Sequence, residues 1–251
     1  MDADCRFSNN GLVMTMSTLA SFTSGTMLVG FCLSVTFAIL FNFKVTTKTH
    51  CGVANYLPSI SAAIAEPPSS YVWRFAVALC TVQRLGLAVT HYSMYSSISL
   101  NKPQYRWLCK LCFLMELTEN LGLIGLTCVS SVEHHQAHEY FFIVFQASAM
   151  LYMMLQCMVY RLAITHGPGP THEETKTFMR KLCLFLTNLI AFFSALYFFY
   201  RHNHYCEPGV YTIFAFLEYI VVISNILFHY MVTNNFKERE VRMGSRAGSK
   251  L

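Results

Sequence analysis

Six long apolar stretches, separated by short polar segments, dominate the hydrophobic pattern of the chain. Each is close to the roughly 20 residues that a helix needs to cross the hydrocarbon core of a bilayer. They are Leu19–Phe43, Tyr71–Tyr92, Trp107–Val129, Tyr140–Tyr160, Leu182–Tyr200 and Gly209–Val232. The pattern therefore predicts an all-α polytopic membrane protein whose transmembrane domain, residues 19–232, is a bundle of six helices.

Composition agrees with this fold class. Only 12% of the 251 residues are charged and 54% are hydrophobic, whereas a soluble domain carries about 25% charged residues. The net charge of +5 is spread over the loops and the tail, so it indicates membrane topology rather than a nucleic-acid-binding surface. We therefore expect membrane lipid as a partner, no nucleic acid and no cofactor.

Lys and Arg are concentrated in alternate connections between the spans. The N-terminus, the second and fourth loops and the tail hold thirteen of the 18, whereas the first, third and fifth loops hold three. Because basic residues accumulate on the cytoplasmic side, residues 1–18 and 233–251 should be cytosolic and the odd-numbered loops lumenal. The charged tail is predicted to be disordered. Its last residues, Ser249-Lys250-Leu251, have the form of a peroxisomal address, which we interpret as coincidence in a six-span protein.

Three of the six spans carry charged or histidine side chains, accompanied by amides. They are Arg74, Arg84 and His91 in the second span, Glu116, Glu119 and Asn120 in the third, and Glu218, Asn225 and His229 in the sixth. Such residues are costly in lipid, so they usually face the interior of a bundle. At about 100° per residue, those of the sixth span share one helix face. Each of these three spans therefore has a polar face, which we call its polar stripe. The pattern predicts that the three polar stripes pack together and that Arg84 pairs with Glu116.

The polar stripes have two interpretations. They could form a buried structural ion pair that fixes helix register, or a polar cavity that admits a lipid head group or water. In the second case we expect a pocket at the lumenal ends of these spans. Its lining would include Arg74, Glu119, Asn120 and Glu218, with His50 and His202 as its roof.

Cys51 and Cys206 are the only cysteines in the predicted lumenal loops. An oxidising lumen favours a disulfide between them, while a catalytic cysteine or a metal ligand remains the alternative. The same loops contain His50, His134, His135, His138, His202 and His204. No spacing among these residues matches a zinc signature, so we predict no metal site.

Several stretches, in order along residues 20 to 230, carry a family resemblance. They are Thr49–Val53, Asn55–Ser59, Tyr71–Phe75, Glu119–Leu121, Val129–Ser131, Phe142–Phe145, Arg201–Asn203, Tyr205–Glu207, Gly209–Ala215 and Glu218-Tyr219. The chain resembles the family of post-GPI-attachment-to-proteins factor 2, part of a wider family that includes the damage-regulated autophagy modulators. The ends of the chain match this family poorly.

The resemblance implies a multi-pass protein of the Golgi membrane, with the endoplasmic reticulum as a second location. It implies fatty-acid remodelling of GPI anchors, at the step that reacylates the lyso-anchor with a saturated chain. The expected partners are then the GPI-anchor lipid and GPI-anchored proteins. The resemblance leaves the acyl donor open, and also whether the protein is the transferase or an accessory.

Two hypotheses assign roles to the residues. For an acyltransferase, the candidate catalytic bases are the lumenal histidines His50, His202 and His204, since histidine is the usual base near neutral pH. Lipid contacts would then come from the polar residues inside the spans, Arg74, Arg84, Glu116, Glu119, Asn120 and Glu218. The alternative is a non-catalytic lipid-binding or escort protein that presents the lyso-anchor to a separate acyltransferase.

The charge bias generates a prediction about topology. Tags at both termini should be accessible from the cytosol in selectively permeabilised cells, and a tag within 52–59 should become accessible only after the lumenal membrane is opened. A C-terminal tag protected from the cytosolic side would contradict the predicted orientation.

Overall fold

The computed structural model of the protein describes residues 5–8, 11–98, 103–166, 169–234 and 240–243. The elements are β1 (Cys5–Ser8), β2 (Gly11–Thr15), α1 (Met16–Thr46), α2 (Ile60–Ala63), α3 (Ser69–Ser96), α4 (Pro103–Cys128), α5 (His135–Ile164), α6 (His172–Tyr205), α7 (Val210–Asn234) and β3 (Glu240–Met243). All helices except α2 are long and apolar enough to cross a membrane. This confirms the predicted all-α fold class with six candidate spans.

The six long helices form a closed ring in chain order, with α7 packed back against α1. Side-chain caps mark several helix starts, because the first backbone N–H groups of a helix lack partners within it. Thr171 and Glu174 form a capping box at the start of α6, and Ser59 caps α2. Each long helix is longer than the apolar stretch that predicted it, because polar residues at its ends are also helical.

Three short strands lie at the end of the bundle where α1 begins and α7 ends. They form an antiparallel sheet in the order β1-β2-β3, with Thr15 opposite Glu240 and Cys5 opposite Met14. The apolar pattern did not indicate these strands. Residues 235–239 and 244–251, which include the terminal Ser249-Lys250-Leu251, lie outside the described residues.

The opposite end, which we call the loop end, carries the connections between α1 and α3, α4 and α5, and α6 and α7. A disulfide joins Cys51 to Cys206, with Cα atoms 5.4 Å apart. The backbone N–H of Gly209 donates to the carbonyl oxygen of Ala54 at 2.9 Å, and the Tyr219 hydroxyl donates to that of Pro58. The long first connection is therefore tied down onto α7.

A carboxylate at the centre of the bundle joins three helices. Glu119 of α4 has no exposed surface, and one of its oxygens lies 2.7 Å from the Arg84 guanidinium of α3. The same oxygen accepts a hydrogen bond from the Asn225 side chain of α7 at 3.1 Å and lies 2.9 Å from Nε2 of His229. The polar stripes of α3, α4 and α7 thus pack together, as the sequence pattern predicts.

Helices α4 and α5 approach each other closely at Gly122. A Cβ atom at this position would lie 2.9 Å from the backbone of Phe145, so only glycine allows this contact. The contact fixes the position of Phe145, whose side chain faces the interior of the bundle.

The buried ion pair generates a prediction about stability. Arg84→Met should lower the free energy of unfolding by about 3–5 kcal/mol, because it leaves the Glu119 carboxylate buried without its cation. The double variant Arg84→Met/Glu119→Gln should be less destabilised than Arg84→Met alone, because the unpaired charge is gone. Denaturation of the detergent-solubilised protein measures both.

The matched control is Arg74→Met, which removes an arginine of the same helix whose partner Glu133 is more than half exposed. Its cost should stay within about 1 kcal/mol. Equal costs for the two single arginine variants would contradict a structural role for the Arg84–Glu119 pair.

Candidate functional site

An apolar cavity of about 390 Å³ lies between α4, α5, α6 and α7, beneath the short helix α2. Its volume is within the range of cavities that hold small organic ligands. The walls are formed largely by aromatic and aliphatic side chains, including Leu123, Phe142, Phe145, Phe192, Ala195 and Phe214. Such walls suit a hydrocarbon chain better than a polar substrate.

The cavity opens sideways between α5 and α6. Away from the loop end these helices touch, since the Lys181 ammonium lies 3.8 Å from the centre of the Tyr160 ring. Among the described residues, the polar link between them nearest the loop end is a 3.4 Å hydrogen bond from the Gln146 amide to Asn188.

Nearer the loop end, the facing side chains of both helices line the cavity, and several are also exposed on the outer surface. They include Ile143 on α5 and Leu196 and Phe199 on α6, with exposed fractions of 57%, 42% and 40%. In a membrane, this side of the bundle faces lipid, so the cavity is open to the hydrocarbon.

Polar side chains gather where the cavity meets the loop end. Ser59, Ser61, His138, Tyr211 and Glu218 all line it there. One carboxylate oxygen of Glu218 accepts a hydrogen bond from the backbone N–H of Ile60 at 3.1 Å, which ties α2 to α7. The apolar cavity therefore ends in a small cluster of hydroxyl, imidazole and carboxyl groups.

Two groups in this cluster are in direct contact. Nε2 of His138 lies 2.9 Å from the Ser61 hydroxyl, and Nδ1 of the same ring lies 2.7 Å from the carbonyl oxygen of Val129. Helix α2 positions the serine and the first turn of α5 positions the histidine.

The deeper end of the cavity reaches the central ion pair. Arg84, Asn225 and Gln146 contribute to its lining, and the first two hold the Glu119 carboxylate. The polar network that joins α3, α4 and α7 thus forms part of the floor of the cavity.

The structure corrects the predicted position of Arg74. Its guanidinium lies outside the cavity and pairs at 3.3 Å with Glu133 on the surface of the loop end. The backbone N–H of Ser130 and the Arg74 guanidinium together hold the pKa of Glu133 below its usual range. The predicted place of Arg74 in the pocket was wrong because the α4–α5 connection, whose path the sequence does not show, supplies a carboxylate directly to Arg74. A lipid-binding role for Arg74 stays a prediction.

The structure also corrects the predicted pairing of Arg84 with Glu116. Arg84 pairs with Glu119, and Glu116 lies 3.3 Å from Nδ1 of His91 instead. The two glutamates are three residues apart, roughly 4.5 Å along the helix axis. An error of less than one turn in the relative depth of α3 and α4 is enough to exchange the partners.

The other lipid-binding candidates are divided. Glu218 and Arg84 line the cavity, whereas Glu119 and Asn120 are buried in the packing of α4. The Asn120 amide donates to the backbone carbonyl of Glu116 at 2.9 Å, and Glu116 lines two small spaces of about 20 and 10 Å³.

The candidate catalytic histidines lie around the disulfide and off the cavity. The rings of His50 and His202 are 5.2 Å apart, and His202 is buried behind Tyr211, whose ring forms the cavity wall. His204 is exposed and its ring contacts that of Tyr200. Potential ligand atoms of His50, Cys51 and Cys206 cluster within 4.8 Å, but both sulfurs are in the disulfide and offer no thiolate.

Sequence reasoning missed the pairing of Ser61 and His138. His138 belonged to the pool of loop histidines, but Ser61 carries no local signal. The two are 77 residues apart, and only the tertiary fold, in which α2 packs on α1 and α7, brings them together. The nearest hint was that Ser61 lies two residues after Ser59, where one of the stretches that resemble the family ends.

Comparisons with known proteins find relatives that are similar to this chain over most of its length. The protein is 37% identical to a Xenopus tropicalis protein named acyltransferase PGAP2, over 98% of this chain and 97% of the relative. It is 38% identical to a Danio rerio protein of the same name, over 76% of this chain and 82% of the relative. It is 40% identical to the Drosophila melanogaster post-GPI attachment to proteins factor 2, over 80% and 77%. No solved structure gives a significant match.

A family model also matches residues 15–238, which include all six long helices and the cavity between them. Since that match covers most of the chain and agrees with the relatives, the chain belongs to the family described as the Frag1/DRAM/Sfk1/Cwh43P N-terminal domain.

Proposed function

We propose that this protein acts in the fatty-acid remodelling of GPI anchors, where it transfers a saturated acyl chain to the lyso-anchor. The observation that carries the proposal is the 390 Å³ apolar cavity, which is open to the membrane between α5 and α6 and ends in a polar cluster at the loop end. The names of the relatives, acyltransferase PGAP2 and post-GPI attachment to proteins factor 2, support it.

The shape of the cavity suits an acyl chain with its carbonyl group at the loop end. The hydrocarbon chain lies between the aromatic walls, and the ester or thioester carbonyl lies among Ser61, His138 and Glu218. The predicted topology puts this end on the lumenal side, where GPI anchors are found. The proposed location is a membrane of the secretory pathway, with the Golgi preferred to the endoplasmic reticulum, and the proposed partners are the anchor lipid and the proteins that carry it.

A second candidate is a non-catalytic protein that holds the lyso-anchor for a separate acyltransferase. One observation favours it: the histidines predicted as catalytic bases, His50, His202 and His204, are not among the cavity-lining residues. The same cavity would then bind the lipid without any chemistry.

Turnover by the purified protein discriminates the two candidates. With lyso-anchor and an acyl donor in nanodiscs, and no other protein, we expect many product molecules per protein molecule. Product that forms only after a second protein is added would contradict the transferase and support the escort.

Filling the cavity tests its role directly. Ala195 is buried on the cavity wall of α6, so Ala195→Phe should place a ring where the acyl chain would lie. A clash of about 1–3 kcal/mol with the bound chain corresponds to a loss of about 5- to 150-fold in acyl transfer, with a reduced surface display of GPI-anchored proteins in deficient cells.

The matched control is Ile190→Phe, on the same helix but 65% exposed on its outer face. It should retain normal activity. Wild-type activity of a well-folded Ala195→Phe variant would show that the acyl chain does not occupy this cavity.

A further inference from the structure

The hydrogen bonds of His138 determine which of its ring nitrogens carries the proton. The Val129 carbonyl oxygen, 2.7 Å from Nδ1, can only accept, so Nδ1 carries a hydrogen and donates it. In the neutral imidazole, Nε2 then has a free lone pair. The Ser61 hydroxyl, 2.9 Å away, donates its hydrogen to that lone pair. A backbone carbonyl thus orients a histidine, and the histidine is positioned to deprotonate a serine.

Two hydrogen bonds hold α2, and with it Ser61, at the cavity. Ser59 caps α2 by accepting from the Ala62 N–H, and the Glu218 carboxylate accepts from the Ile60 N–H. Ser61 is half-buried and His138 is only 5% exposed, yet both line the cavity. A nucleophile within hydrogen-bond reach of a base that a third group orients is the arrangement of covalent acyl transfer.

We propose that Ser61 is the acyl-accepting nucleophile of this protein and that His138 is its general base. This inference rests on the acyl-transfer function proposed above and specifies its chemistry. The Ser61 oxygen attacks the carbonyl carbon of an acyl ester or thioester, and His138 takes the hydroxyl proton. The bond to the leaving oxygen or sulfur breaks, His138 gives that atom the proton, and an acyl-serine ester remains.

The second half of the reaction reverses these roles. The free hydroxyl of the lyso-anchor attacks the acyl-serine carbonyl while His138 takes its proton. The bond to the serine oxygen breaks, and His138 returns the proton to Ser61. The acyl chain has then moved from donor to anchor, and the protein is unchanged.

The geometry favours this two-step route over direct attack by the anchor hydroxyl. In the resting protein, the Ser61 hydroxyl occupies the lone pair of Nε2, so the first proton that His138 can take is that of Ser61. Once Ser61 is acylated, its oxygen has no hydrogen, and Nε2 is free to accept the proton of the anchor hydroxyl.

The experiment traps the acyl-protein. Purified full-length protein in nanodiscs is incubated without lyso-anchor, with either phosphatidylcholine or coenzyme A carrying an isotope-labelled stearoyl group. Peptide mass spectrometry should find the label on Ser61 with one of these donors, which distinguishes an ester source from a thioester source. Addition of lyso-anchor should then remove the label from the protein and place it on the lipid.

Four variants accompany the wild type in the same transfer assay. Ser61→Ala and His138→Gln should each lose transfer by about 100-fold or more, while the bound amount of lysophospholipid stays within about twofold of wild type. Ser61→Cys should form a thioester that neutral hydroxylamine cleaves. Ser194→Ala, which changes a half-buried serine outside the lining of this cavity, should retain normal transfer.

Transfer by a folded Ser61→Ala variant at the wild-type rate, or wild-type transfer without any labelled Ser61, would overturn this inference and leave the proposed function intact. A wild-type protein that transfers no acyl chain from either donor would instead overturn the proposed function itself. If Ser61→Ala loses both lysophospholipid binding and transfer activity, the Ser61–His138 contact has a structural role. That result would also overturn the inference.

Discussion

The carboxylate of Glu119 is buried without solvent exposure inside a bundle whose surroundings are apolar. A charge in this position is stable only if other polar groups surround it. Here Arg84 from α3 and Asn225 and His229 from α7 provide them. Because each partner must reach the same oxygen, the depth and rotation of α3, α4 and α7 are set together. The remaining helices are arranged around this fixed group of three.

This constraint explains where the cavity lies. The polar network fixes its floor through Arg84 and Asn225, and the disulfide and the Tyr219–Pro58 hydrogen bond fix its ceiling by holding the first connection against α7. Between floor and ceiling, α4 is in backbone contact with α5 at Gly122, which presents Phe145 to the interior. The cavity is thus bounded by contacts that are determined independently of any ligand.

The sequence was sufficient for the parts of the structure that depend on period and composition. The six spans follow from hydropathy, and the convergence of α3, α4 and α7 follows from the cost of Glu119 and Arg84 in lipid. The partner of Arg84 could not be assigned, because the choice between Glu116 and Glu119 needs helix depths to better than one turn. Likewise Arg74 and Ser61 contact residues supplied by connections or distant helices, Glu133 and His138, and no local pattern encodes such contacts.

The opening between α5 and α6 follows from the same physics. Two apolar helices in a bilayer gain little by excluding lipid from between them, since lipid chains are as apolar as their own side chains. In the described part of the cavity wall, the polar link between them is the Gln146–Asn188 hydrogen bond at its lower edge. Above that bond, hydrocarbon can occupy the gap with little loss of free energy. In the proposed reaction, an acyl chain therefore reaches the cavity from the membrane without leaving an apolar medium, while its carbonyl group arrives at Ser61 and His138 beside the loops, where a polar head group can remain hydrated.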